Sequence, residues 1–247
     1  LSTDLNRNNW QHLDPINDSV TGMSVDKAYK ELIKDSEGQT VVVAVLDTGI
    51  DIKHEDLKGK IWTNKKEIPG NNIDDDKNGF VDDVYGWNFL GEAYYEQLEL
   101  TRLLGKGEDF PEKEDAQKDY DKRLAEARGE ETLKYYLNYD FKGRTTGDDP
   151  DNFEQRFYGD NKVEHSREDE SHGTHVAGII AAARNNNLGM KGVANNVEIM
   201  TLRVVPYGDE YDKDVALGII YAADNGADII NTSFGKGFSP HSDKVRD

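Results

Sequence analysis

The chain has 247 residues, of which 36% are hydrophobic and 32% are charged, and its 49 acidic and 30 basic residues give a formal charge of -19 at pH 7. This length can form one α/β domain with insertions or two small domains. The negative charge opposes binding to phosphate backbones, so we expect no nucleic-acid partner. The absence of cysteine excludes disulfides and thiolate catalysis. No stretch approaches the roughly 18 apolar residues of a membrane span.

The first predicted elements are a helix and a buried strand. Residues 24–33 predict a helix with Ser24 as its N-cap and with a buried face formed by Tyr29, Leu32 and Ile33. Residues 41–46 are a continuous apolar run rich in valine, which is typical of a strand buried on both faces of a parallel sheet. The strand ends at Asp47-Thr48-Gly49, a polar residue followed by a turn.

A second strand, helix and strand occur near the end of the sequence. Residues 197–205 and 227–234 predict strands, and residues 212–225 predict the helix between them. This order implies a right-handed parallel crossover, so we expect an α/β fold with a mostly parallel sheet and helices on both faces. Reacting groups in such sheets gather at the carboxyl ends of the strands, where Asp47 and Ser233 lie.

Residues 91–164 are dense in charge and contain few β-branched residues. We interpret them as a partly helical insertion that mostly faces solvent, which also accounts for much of the low mean hydropathy of -0.81. Two interpretations of this segment are open. It is either a solvent-exposed surface insertion without a specific role, or a flap that binds a partner or restricts substrates.

Two motifs carry a family resemblance. Residues 45–51, Val-Leu-Asp-Thr-Gly-Ile-Asp, are followed by His-Glu-Asp-Leu at 54–57, and residues 171–178 are Ser-His-Gly-Thr-His-Val-Ala-Gly. In this order they resemble the aspartate and histidine motifs of the subtilisin-like serine proteases, or subtilases. A third match, Asn-Thr-Ser-Phe-Gly at 231–235, resembles the substrate-binding strand of that family. The resemblance covers roughly residues 10–90 and 165–240 and implies a subtilisin-like domain over residues 1–247.

The resemblance implies that Asp47 and His172 are catalytic and that Ser233, Phe234 and Gly235 bind substrate. Chemistry favours the same roles, because a serine hydroxyl needs an imidazole base and a carboxylate that holds the imidazole in the correct tautomer. Taken singly, Asp47 could be a turn former and His172 an ordinary residue at a helix start. The second histidine of the motif, His175, is expected to be buried packing.

A third set of residues predicts a metal site. Residues 72–83 place side-chain oxygens at Asp74, Asp76 and Asn78, and a carbonyl at Phe80, as in the first half of an EF-hand loop. The glutamate that closes an EF-hand is missing, so Asp82 or Asp83 is expected to close the shell. A flexible cage of protein oxygens favours calcium over magnesium, and the alternative is an acidic surface turn without an ion.

The resemblance alone implies a further calcium site. Subtilases commonly use the aspartate nine residues after the catalytic one, here Asp56, together with a loop after the histidine helix. In this sequence the loop would supply the Asn186 side chain and the carbonyls of Leu188 and Met190.

The family's Gly-Thr-Ser-x-Ala motif is missing from the sequence. Its nine serines, none in that context, are Ser2, Ser19, Ser24, Ser36, Ser166, Ser171, Ser233, Ser239 and Ser242. We therefore expect a fold that is incomplete at its C-terminus, with the nucleophile in a remainder of the protease domain. The leading hypothesis is a secreted, periplasmic or cell-surface endopeptidase acting on peptides or proteins. The alternative is a non-catalytic calcium-binding or interaction module derived from a protease.

Overall fold

A parallel β-sheet forms the centre of the protein in the computed structural model, which describes residues 8–34, 36, 38–164, 167 and 169–246. The predictions for Ser2 and Ser166 lie outside these residues. The strands are β1 (Val41–Asp47), β2 (Gly86–Asn88), β3 (Val197–Arg203) and β4 (Ile229–Thr232). The helices are α1 (Val25–Ala28), α2 (Glu99–Gly105), α3 (Lys113–Glu126), α4 (His172–Ala181), α5 (Asp212–Asp224) and α6 (Ser242–Arg246). None of these helices has the length and apolarity of a membrane span.

The strands are parallel and lie in the order β2-β3-β1-β4. In the pairing of β1 with β3, Asp47 lies opposite Arg203. The predicted α/β fold with a mostly parallel sheet is confirmed. The carboxyl ends of β1 and β3 consequently meet at one edge of the sheet.

Helices cover both faces of the sheet, as predicted. On one face, Ala44 and Leu46 of β1 join a buried cluster with Leu217 and Tyr221 of α5. On the other face, Val43 and Val45 pack in a cluster with Ala177 and Ala181 of α4. Alternate side chains of a strand point to opposite faces, so the unbroken apolar run of β1 supplies both cores. This double burial fixes the position of Asp47 at the strand's end.

The insertion contains helices, as expected, but it also has a core of its own. Leu100, Ala116, Tyr120 and Leu137 form a buried cluster between α2, α3 and the turn after them. Charged side chains are buried here too, because Arg102 donates to Glu99 over 2.6 Å and neither side chain is more than 7% exposed. The prediction that this segment mostly faces solvent is therefore wrong for residues 93–103, most of which are buried, and for the side chains that complete this cluster. Pairing of opposite charges allowed a charge-dense sequence to be buried.

The N-terminal helix differs from its prediction. Only residues Val25–Ala28 are α-helical, and a wider π-turn follows over Tyr29–Ile33. Ser24 is not a side-chain N-cap, because its hydroxyl donates to Asp14 Oδ2 over 2.9 Å. Leu32 is 80% exposed and Ile33 is 39% exposed, and Tyr29 is only partly buried, so the predicted buried face is also wrong. Tertiary contact with Asp14 outweighs the local capping preference.

Candidate active site

Asp47 ends β1 with its side chain almost completely buried. Its Oδ1 accepts a hydrogen bond from the backbone N–H of Thr48 over 2.8 Å and lies 2.7 Å from Nδ1 of His172. Its Oδ2 is buried and has no hydrogen-bond partner within the described residues. The carboxylate therefore directs one oxygen at the imidazole from a rigid position at the sheet edge.

His172 is the first residue of α4, and 56% of its side chain is exposed. An ionised carboxylate only accepts hydrogen bonds, so the contact with Asp47 requires Nδ1 to donate. In the neutral imidazole the other nitrogen, Nε2, then carries a lone pair. One ring nitrogen is thus fixed by the protein while the ring stays accessible to a reacting group.

The small residues around His172 have clear structural reasons. A Cβ atom at Gly173 would lie 2.2 Å from the carbonyl oxygen of Gly49, so glycine is needed where α4 meets the turn after β1. The Gly173 N–H donates to the Thr48 hydroxyl, and the Asp51 N–H donates to the Thr174 hydroxyl over 2.9 Å. These hydrogen bonds connect the aspartate and histidine motifs in addition to the direct contact between Asp47 and His172.

His175 does not have the expected environment. It is exposed on α4, as is Ile179 one turn later on the same face of the helix. The prediction that His175 is buried packing is wrong, because no described segment covers this side of the helix.

The predicted substrate-binding residues lie just beyond β4, an edge strand whose ladder partner is β1. Ser233 and Gly235 are exposed, whereas Phe234 is half-buried against the core cluster that includes α5. The Ser233 hydroxyl donates to Asn231 Oδ1 over 3.0 Å, so its described partner is this amide and not His172.

The acidic loop formed by residues 72–83 brings some of the predicted metal ligands close to one another. Asp74 and Asp76 each place a carboxylate oxygen within a group that spans no more than 4.8 Å. The third member of the group is Glu67, which sequence reasoning missed. Glu67 is buried, its Oε1 accepts from the N–H groups of Asp75 and Asp76, and its Oε2 has no partner among the described residues.

The other predicted ligands of this loop have different partners. Both oxygens of Asp82 accept backbone N–H groups, from Gly70 and from Asn72. Asp83 is fully buried and accepts from Asn64, from Asn78 and from the Tyr221 hydroxyl. The Asn78 Oδ1 accepts from the N–H of Phe80. These two aspartates thus shape the loop, and the carboxylates that face one another are those of Glu67, Asp74 and Asp76.

This donor set suits a hard divalent cation. Calcium takes six to eight oxygen ligands, and three facing carboxylates repel one another, with the exposed Lys66 ammonium 3.8 Å from Asp76 Oδ2 as a described cation nearby. The buried and unpartnered Glu67 Oε2 supplies an acceptor with no other role in the described structure. Burial also raises the pKa of Glu67, and the nearby Asp83 and Asp76 act in the same direction.

The second predicted metal set is also partly assembled. The Asn186 amide donates to Asp56 Oδ1 over 2.7 Å, and its own Oδ1 accepts from the N–H of Leu188. Asp56 Oδ2 lies so close to Gly189 that a Cβ there would be 2.8 Å from it. The loop that ends at Met190 therefore folds over the Asp56 carboxylate.

A carboxylate and an imidazole that meet at the carboxyl end of a parallel sheet form the arrangement that a serine hydrolase uses to activate its nucleophile. The family model for subtilases matches residues 38–247, and the chain belongs to this family of serine proteases.

Named relatives agree with the family. The chain is 27% identical over 210 residues to subtilisin-like protease 1 of Plasmodium falciparum, covering 83% of this chain and 20% of that protein. It is 42% identical over 100 residues to a cell wall-associated protease of Bacillus subtilis, covering 40% of this chain and 10% of that protein. A thermophilic serine proteinase of a Bacillus species is 50% identical over 66 residues, 26% of this chain and 16% of that protein. The matches thus span a fifth or less of these relatives.

Proposed function

We propose that this chain carries the base and its orienting carboxylate for a subtilisin-type serine endopeptidase. The 2.7 Å contact between His172 Nδ1 and Asp47 Oδ1 is the observation that supports this function most strongly. Residues 1–247 then belong to one catalytic domain, and residues 91–164 are an insertion within it. The triad serine is supplied by sequence outside these 247 residues.

His172 acts as the proton carrier. Its Nε2 takes the proton of the serine hydroxyl as the oxygen attacks the peptide carbonyl, and later gives that proton to the leaving amine. Asp47 keeps Nδ1 protonated and stabilises the imidazolium that forms between these steps. A water molecule then repeats the sequence on the acyl-enzyme, and the second product leaves as a carboxylic acid.

The substrate is an extended peptide or protein segment. The exposed backbone at Ser233, Phe234 and Gly235 follows an edge strand, and such a backbone binds an extended chain by adding a strand to the sheet. The half-buried Phe234 supplies apolar contact for a substrate side chain.

Calcium is the proposed stabilising ion. Asp74, Asp76, Asn78 and the Phe80 carbonyl would hold it in the acidic loop, with Glu67 as the additional carboxylate and with Asp82 and Asp83 in support. Asp56, Asn186, Leu188 and Met190 would hold a second ion. Each ion would join separate backbone segments of its site, so its binding free energy adds to the stability of the folded state.

The protein acts outside the cytoplasm in this proposal. The Bacillus subtilis relative is named for its association with the cell wall. The chain also lacks cysteine, and ordered calcium sites would suit the higher calcium concentrations found outside cells.

A cleavage assay on two forms tests the function. The gene product extended through its Gly-Thr-Ser-x-Ala motif should cleave peptides, and the 247-residue chain should show little activity, because the loss of the serine alone costs many powers of ten. A matched extended form with His172→Ala serves as the inactive control. If the gene ended without that motif, and calcium or a protein still bound, the non-catalytic module would be the better explanation.

A further inference from the structure

Arg203 ends β3 directly opposite Asp47, and its guanidinium is buried with 1% of the side chain exposed. Its Nε donates to the carbonyl oxygen of Thr48, the residue that follows Asp47, over 2.9 Å. Its Nη1 donates to Asn88 Oδ1 and to the Gly91 carbonyl, each over 3.2 Å. The arginine therefore joins the turn after Asp47 to the residues at and just after the end of β2. Asp47 and His172 together form the proposed catalytic dyad.

The remaining nitrogen of Arg203 reaches the other half of the dyad. Nη2 donates to Glu170 Oε1 over 2.8 Å and to the Ala93 carbonyl over 3.0 Å. Glu170 is fully buried and stands two residues before His172. One guanidinium thus bonds both to the residue after Asp47 and to a residue close before His172.

A contribution to folding stability is a poor explanation for the presence of a buried ion pair such as Arg203–Glu170. Removing both charges from water costs several kcal/mol per ion, and a well-packed apolar pair of similar volume is often as stable or more stable. What an arginine adds is geometry, because its planar fork fixes the directions of its donors. The acceptors here are three carbonyls, one amide oxygen and one carboxylate, which belong to segments far apart in the sequence.

From these contacts we infer that Arg203 and Glu170 are positioning residues for the catalytic dyad. Arg203 holds the Thr48 carbonyl, and Glu170 holds the start of α4, so the pair sets the separation of Asp47 and His172. This role rests on the proposed peptidase function for its kinetic consequence, but the geometric consequence does not depend on it. The bonds to Gly91 and Ala93 also attach the first residues of the insertion to the same guanidinium.

The test compares Arg203→Lys and Glu170→Gln with Arg144→Lys. Arg144 is a matched control, because it is also a mostly buried arginine, is paired with the carboxylates of Asp148 and Asp214, and has no described hydrogen-bond partner next to Asp47 or His172. Arg203→Lys keeps the positive charge but loses the planar set of N–H donors, and Glu170→Gln keeps the side-chain shape but loses the negative charge. Melting temperature and circular dichroism establish that each variant folds.

Two readouts are needed. In the 247-residue chain, the proton NMR signal of the His172 Nδ1–H should lie at low field in the wild type and in Arg144→Lys. It should shift to higher field or broaden by exchange with water in Arg203→Lys and Glu170→Gln. In the extended active form, Arg203→Lys should lower kcat by about 10- to 100-fold with KM within about 2-fold, because small displacements of catalytic groups cost this much. Glu170→Gln should show a smaller loss in the same direction.

Folded variants that keep both the wild-type Nδ1–H signal and kcat would overturn the inference. Failure of both variants to fold would also overturn it, since the pair would then be required for folding and not for positioning. If the extended wild-type protein showed no peptidase activity, the proposed function would fail, and the NMR comparison would still decide whether the pair positions the dyad.

Discussion

Gly173 approaches the carbonyl oxygen of Gly49 so closely that a Cβ atom added to Gly173 would lie 2.2 Å from that oxygen. The contact joins the first turn of α4 to the turn after β1. His172 directly precedes Gly173, and Asp47 lies two residues before Gly49, so the separation of His172 and Asp47 depends on a glycine that does no chemistry itself.

Gly173→Ala should therefore damage both stability and activity. The clash is with backbone atoms, so α4 has to move, and overpacking of this kind typically costs about 1–3 kcal/mol. The movement would lengthen the contact between His172 and Asp47. Gly178→Ala in the same helix is the control, because a Cβ there meets nothing within 4 Å and alanine is the better helix former by about 0.5–1 kcal/mol. Urea denaturation of both variants tests this, and equal stability would contradict it.

Asp47→Asn should abolish most of the activity of the extended form while leaving its fold intact. The asparagine can present an N–H to Nδ1 and so favour the wrong imidazole tautomer, which lowers kcat by about 10⁴-fold in the chymotrypsin triad that serves as the reference case. Asp14→Asn is the control, since Asp14 is a buried aspartate that accepts bonds in the N-terminal loop. Steady-state kinetics should give a kcat for Asp14→Asn that is at least about 10³-fold higher than that for Asp47→Asn. Similar kcat values would remove Asp47 from the mechanism.

Calcium should bind to the loop that contains Asp74 and raise the melting temperature. At a free concentration 100 times Kd, one ion adds about 2.7 kcal/mol to the free energy of unfolding. Glu67→Gln should weaken this binding, because it removes one of the three facing carboxylates. Asp75→Asn should not weaken it, since the Asp75 side chain accepts bonds from Ile68 and Asn71 outside that group. Titration calorimetry without a calcium-binding heat would rule the site out.

The insertion should loosen from α5 in acid. Burial alone raises the pKa of Asp148, but hydrogen bonds from Arg144, Lys213 and Thr146 outweigh it and lower the pKa from 3.8 to about 2. A lowered pKa in the folded state stabilises the protein above pH 4, and this contribution disappears as the pH falls from about 4 to about 2. Asp148→Asn should thus cost roughly 2 kcal/mol at pH 7 and little at pH 2.

The matched control for this pH effect is Asp140→Asn, an exposed loop position. Its unfolding free energy should follow that of the wild type throughout the range. A difference between Asp148→Asn and the wild type that stayed constant from pH 7 to pH 2 would contradict the assignment.

The parallel sheet could be predicted from the sequence, and Asp47 and His172 could be chosen as candidates that lie in contact, because both depend on local patterns. The apolar run of β1 needs burial on both faces, and the residues around Asp47 and His172 carry the turn and the helix start that join them. Glu67 was missed because it lies seven residues before Asp74 and has no periodic relation to that loop. The Arg203–Glu170 pair was missed for a similar reason, since nothing local marks a charged residue as buried when its partner is distant in sequence.

Labelling with a serine-directed phosphonylating reagent tests whether Asp47 and His172 activate a serine. We expect the extended gene product to be labelled at the serine of a Gly-Thr-Ser-x-Ala motif outside these 247 residues, as located by peptide mass spectrometry. We also expect His172→Ala to slow the labelling by at least about 10²-fold, because the hydroxyl then lacks its base. A label at Ser233, or labelling at the same rate in His172→Ala, would contradict the assignment of Asp47 and His172 as the acid–base part of a serine protease triad.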